Sequence, residues 1–152
     1  MPINVEPALS PHLVVDDAAA AIDFYVKAFG AEELGRVPGP DGRLIHAALR
    51  INGFTVMLND DFPEMCGGKS MTPKSLGGTP VTIHLTVTDV DSKFQRAVDA
   101  GATVVGAVED QFWGDRYGVV EDPFGHRWSL GQPVREVDYD EIQAAMSAQA
   151  SN

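Results

Sequence analysis

Apolar and polar positions alternate in short runs along most of this chain, and twice the alternation gives way to a helical period. The run "HLVV" begins at His12, passes an acidic pair, and leads into Ile22, Tyr25 and Phe29, which share one helical face. The run "HLTV" begins at His84 and leads into Val90, Phe94, Ala97 and Val98, again on one face. His12 answers to His84, Asp17 to Asp89 and Gly30 to Gly101 at a nearly constant offset, so the chain repeats itself. Asp17 and Asp89 are predicted N-caps, their carboxylates accepting from free N–H groups of the first turn. Gly30 and Gly101 fall where a left-handed residue ends a helix.

Each helix is followed by three strand-like runs, at 31–37, 43–51 and 53–59, then at 102–108, 116–122 and 126–131. The turns between them are "PGPDG", "NG", "QFWGD" and "DPFG". Each half therefore reads βαβββ, and the fold class is α+β: one domain of two modules, about 9–59 and 80–131. A four-stranded sheet with one helix buries little alone, so the two sheets are expected to pair. Residues 60–79, rich in Gly, Pro and polar side chains, read as a linker or lid. Residues 133–152 read as a helical tail with a thin apolar edge at Ile142 and Met146.

Charge and composition narrow the function. A net charge of −11 argues against nucleic acid, whose binders need Lys and Arg for phosphates, and against anionic membranes. It would draw in cationic ligands weakly and over long range. Cys66 is the single cysteine, so no intrachain disulfide can form. The first residues lack the basic and apolar stretches of a signal peptide, and no apolar run approaches the ~20 residues of a membrane helix. A cytoplasmic protein is expected. "GGKS" at 67–70 lacks the first glycine and the flanking strand and helix of a phosphate loop. No G-x-S-x-G elbow occurs, and nothing near Cys66 in sequence marks an activated nucleophile.

The densest chemistry lies in "FWGDRYGVVEDPFGHRWSL", residues 112–130. Alternation gives two strands joined by Asp122-Pro123-Phe124-Gly125, with Pro and Gly shaping the turn. If Ser129 faces a cleft, Arg127 and Gly131 face it too, and Trp128 points into the core. Phe112 and Trp113 sit in a Gly-bearing loop, placed as a stacking wall for a planar ligand or an anchor in a partner subunit. Tyr117, Val119 and Glu121 share one strand face, and alternation alone leaves open whether that face is the outer one.

The ordered set "IDFYVKAFGAEE", "KSLGGTPVTIHLTVTDVD" and "WGDRYGVVEDPFGHRW", within paired βαβββ modules, resembles the vicinal-oxygen-chelate superfamily. That group includes glyoxalase I, bleomycin-resistance and fosfomycin-resistance proteins and extradiol dioxygenases. The wording is similar to its PhnB-like branch. The resemblance spans about Leu9 to Leu130 and implies curved mixed sheets forming a cleft. In metal-using members the ligands come from the first and last strands of each module. His84 matches the second-module histidine. The last-strand carboxylate position falls on Ser129, and on Met57 or Leu58 in the first module. The first-strand position falls on Ser10 by counting from "IDFY" or on His12 by the internal repeat. His12 and His84 with no carboxylate fall short of the three protein ligands usual at a catalytic metal. No cofactor is therefore assigned, and a divalent metal stays the alternative.

The resemblance implies a homodimer that holds a small organic molecule in its cleft. The residues expected to line it are His12, His84, Phe112, Trp113, Tyr117, Arg127 and Ser129. The alternatives are a divalent-metal-dependent lyase, isomerase or dioxygenase, and a metal-free enzyme with His12 or His84 as general base.

Overall fold

The computed structural model describes residues 2–151; Met1 and Asn152, the outer ends of the expected domain and tail, lie outside the described residues. The first module is β1 (His12–Val15), α1 (Ala18–Phe29), β2 (Glu32–Pro38), β3 (Leu44–Ile51) and β4 (Phe54–Asp60). The second is β5 (Thr82–Thr86), α3 (Val90–Ala100), β6 (Thr103–Asp110), β7 (Asp115–Glu121) and β8 (Arg127–Pro133). Between them stand a single 3₁₀ turn (Pro63–Met65) and the one-turn helix α2 (Pro73–Leu76). The last helix is α4 (Tyr139–Ala150). The strand orders are β1-β4-β3-β2 and β5-β8-β7-β6, with the first pair of each sheet parallel and the others antiparallel. The fold is therefore α+β, two βαβββ modules, as the alternation predicts, and the sheets are not closed into a barrel.

Side-chain chemistry explains the helix ends unevenly. Asp17 caps α1, its carboxylate accepting from Ala20 N at 3.0 Å, and Gly30 ends the helix at φ +66°. Asp89 does not cap α3 in the expected way. It holds a left-handed backbone, φ +53°, which turns its carboxylate to Ser92 Oγ instead. The free amide of Val90 is taken by Gln132 Oε1 at 3.0 Å, from the far end of β8.

The modules meet through their helices. α1 packs on α3, while the strands of one sheet do not pack on those of the other, so the expected sheet-to-sheet pairing is corrected. Tyr25 and Phe29 of α1 reach past α3 to Trp128 of β8, with ring centroids 5.4 and 4.7 Å away. Asp122 fixes the crossing: its Oδ2 accepts from Tyr25 O–H at 2.5 Å and Trp128 Nε1 at 2.9 Å. Its Oδ1 accepts from the amides of Phe124 and His126, which shapes the turn into β8. The modules are also tied by Asn52 donating to Thr86 O, by His126 Nε2 donating to Val14 O, and by Arg96 donating to the carbonyls of Val26 and Lys27. Among the described residues, no helix is long and apolar enough to cross a membrane.

Candidate functional site

Packing against the helices settles which face of the second sheet is free. A Cβ on Gly118 would lie 2.7 Å from Phe94 of α3, so Gly118 and the buried Val120 face the helices. Tyr117, Val119 and Glu121 therefore face outward, which alternation alone left open. On β8, Trp128 is fully buried, as expected, and Arg127, Ser129 and Gly131 lie on the outer face. On β5, Thr82, His84 and Thr86 are exposed on that same face.

His84 is held from three strands. Its Nδ1 is hydrogen-bonded to Ser129 Oγ at 2.8 Å, directly across the β5–β8 pair. Its ring stacks near Tyr117 of β7, centroids 5.9 Å apart and planes 21° apart. It also lies over Gly131, where a Cβ would stand 2.8 Å from His84 Cε1. Gly131 does not have the positive φ that favours glycine, so what it supplies here is room for the imidazole. Ser129 is 2% exposed, and its hydroxyl is satisfied by His84. Asp115 Oδ2 borders the same hollow, 3.5 Å from where that Cβ would be.

The aromatic loop completes this end of the face. Trp113 meets Tyr117 edge-on at 5.4 Å, and Phe112 meets Trp113 edge-on at 5.1 Å. The residues after β8 clamp the loop. Val134 N and Arg135 N both donate to Gly114 O, and Arg135 Nη2 donates to Phe112 O at 2.9 Å. Gly114 is needed there: its φ is +102°, and a Cβ would lie 2.5 Å from Arg135 O. Phe112, Trp113, Tyr117, His84 and Ser129 thus converge as one cluster.

Arg127 lies two residues along β8 from Ser129, opposite Glu121, at the other end of the face. Among the described residues it is the arginine with no hydrogen bond or ion pair. The rest bond to carboxylates, as Arg116 does to Asp91 and Asp110, or to carbonyls, as Arg96 does to Lys27 O.

His12 is placed elsewhere. It packs edge-on against His46 of the first sheet, centroids 6.1 Å apart. It lines a cavity of about 590 Å³ at the seam between β1 and β5, with Leu9, Pro11, Val81, Ile83 and His126. That cavity is larger than the one of about 250 Å³ that His84 lines with Asn52 and Phe54, but its walls are mostly apolar and His126 is already tied to Val14 O. Volume favours the seam. Convergent polar groups and aromatic walls favour the His84 face, and they are what fix a ligand's orientation and identity.

The strand register also tests the metal reading. His84 stands opposite Ser129, and His12 stands opposite Met57. The internal repeat, not the count from "IDFY", aligns the modules, and the last-strand position of the first is Met57 rather than Leu58. Neither pair brings a carboxylate. Among the described residues, no group of three or more His, Cys, Asp or Glu side chains is placed to hold a metal ion. This donor set does not fit the metal of the resembled enzymes. Asp115, at the start of β7, borders the space above Gly131 and makes no side-chain hydrogen bond among the described residues. A glycine on the outer face of a strand with ordinary φ was the available signal of that space.

Two open βαβββ sheets joined through their helices, one carrying a polar and aromatic outer face, define a small-domain class with one well-known family. The chain belongs to it: the model of the Glyoxalase/Bleomycin resistance protein/Dioxygenase superfamily matches residues 8–130. An uncharacterized protein of Mycobacterium tuberculosis is 87% identical over 149 residues, covering 98% of this chain and 88% of that one. Among solved structures, TioX from Micromonospora is 32% identical with a TM-score of 0.65, over 85% of this chain and all of that one. The protein of Arabidopsis thaliana locus At5g48480 is 29% identical with a TM-score of 0.65, over 83% and 98%.

Proposed function

We propose that this protein binds a small planar organic molecule on the outer face of its second sheet. The ligand's ring lies against Trp113 and Tyr117, and His84 forms the floor. The observation that carries this is the seating of His84: three strands, a buried serine and a glycine cut-out serve one exposed imidazole beside an aromatic wall. A histidine serving packing alone would need none of these. The protein acts as a homodimer whose second copy covers the face, since a single chain leaves both sheets open. It works in the cytoplasm, which the lone Cys66 suits. Within the superfamily it sits in the PhnB-like branch, on the wording of "WGDRYGVVEDPFGHRW" and "KSLGGTPVTIHLTVTDVD".

The test is binding of flat bicyclic probes followed by NMR, with thermal melting as a check of folding. Replacing Trp113 or His84 by Ala should weaken binding by about 1–3 kcal/mol, the range for stacking aromatics and interface hot spots. Variants that fold normally and bind as tightly as the parent would move the site elsewhere.

A further inference from the structure

The space over Gly131 is bordered by His84 and Asp115. His84 Nε2 lies 3.3 Å and Asp115 Oδ2 3.5 Å from the point where a Gly131 Cβ would be, so the two atoms are at most about 6.8 Å apart. No ion pair joins them, so they stand more than 4.0 Å apart. One oxygen hydrogen-bonded to both, at about 2.8 Å each with an ordinary angle, spans roughly 4.5–5 Å. That span falls within these bounds, so a single oxygen can bridge the two atoms.

The chemistry of its two sides is assigned from their hydrogen-bond partners. Ser129 Oγ–H has no other acceptor among the described residues, so it donates to His84 Nδ1. The neutral imidazole then carries its proton on Nε2 and offers an N–H donor over Gly131. Asp115 makes no side-chain hydrogen bond among the described residues, and its carboxylate is an acceptor. A hydroxyl is a group that accepts on one side and donates on the other. Trp113 and Tyr117 stand beside the hollow, so the hydroxyl belongs on an aromatic ring.

We propose that the ligand is a hydroxyaromatic compound of the phenol or naphthol class. Its oxygen accepts from His84 Nε2–H and its O–H donates to Asp115 above Gly131, while Ser129 acts as a positioning residue that sets the His84 tautomer. This rests on the binding face proposed above and adds the ligand's functional group.

The probes are 2-naphthol and 2-methoxynaphthalene, which share a ring, but the ether cannot donate. Binding is read by NMR titration of the whole chain. 2-Naphthol should bind about tenfold more tightly or better, the worth of one hydrogen bond to a charged group. Asp115→Ala should bring 2-naphthol down to the level of the ether and leave the ether unchanged. Gly131→Ala, which fills the hollow, should do the same; if it does not fold, Asp115→Ala still decides. Ser129→Ala should shift the His84 ring from the Nε2–H tautomer toward a mixture, seen in long-range ¹H–¹⁵N correlation spectra, and reduce the preference for 2-naphthol. Equal binding of the two probes, with both lost in Trp113→Ala, overturns the hydroxyl while the stacking face stands. A preference that survives Asp115→Ala also overturns it. Failure of both probes to bind, or binding indifferent to Trp113→Ala, overturns the face and this inference together.

Discussion

Asp122 accepts four hydrogen bonds, from two side-chain donors on one oxygen and two backbone amides on the other. The sequence marked it only as the start of a turn. Its burial could not be read there, because the partner Tyr25 lies 97 positions away and alternation carries no record of such pairings. Trp128 was legible as core, since its neighbours on β8 alternate in polarity. Burial, reinforced by the Asp122 charge and hydrogen bond, pushes the Tyr25 hydroxyl well above its ordinary value of 10.0. A raised folded value means the bond's contribution is complete below pH 10 and is lost as pH rises past it, because the unfolded chain then gives up the proton first. Tyr25→Phe should cost about 1–3 kcal/mol at neutral pH, the range for leaving a buried acceptor short of a partner. Denaturant melts should show the gap between parent and variant shrinking above pH 10. A gap that is constant to pH 11 would mean that folding does not raise the value of this hydroxyl.

Periodicity and turn residues located the eight strands together with α1 and α3, most of which carry an apolar face against the core that leaves an alternating or 3.6-residue imprint. What they missed are contacts between elements made by backbone and by lone polar groups. The cap of α3 is one: Asp89 has the right identity and place, yet Gln132 does the work. The clamp on the aromatic loop is another, built from amides of residues 134 and 135 on the carbonyl of Gly114. α4 beyond it buries no residue and is joined to the rest through this segment. A chain ending at Pro133 should therefore fold, with the loop 111–114 released. Hydrogen exchange at those amides should quicken, and binding on the Trp113 side should fall by about 0.5–1.5 kcal/mol per bond that held the loop. Unchanged exchange in the shortened chain would show that β6 and β7 fix the loop unaided.

At the scale of the whole molecule, α1 and α3 form the join and both outer sheet faces are left to solvent. The edge strands β1, β2, β5 and β6 are unpaired on one side. Pairing with a second copy is the expected remedy, and multi-angle light scattering at micromolar concentration should return twice the chain mass of 16.3 kDa. A stable monomer would refute the homodimer and leave the face uncovered. The seam cavity beside His12 also belongs to this scale: it exists because two modules meet there, which no single motif announces. The shared oxygen of Asp122 carries one more consequence. The first module owns Tyr25 and the second owns Asp122 and Trp128, so neither half is chemically complete. Severed at Gly67 and Gly68, in the exposed stretch between them, the chain would yield two fragments. Each would carry an aromatic surface and half of a hydrogen-bonding node that the other alone can fill, as a split protein rebuilt by complementation.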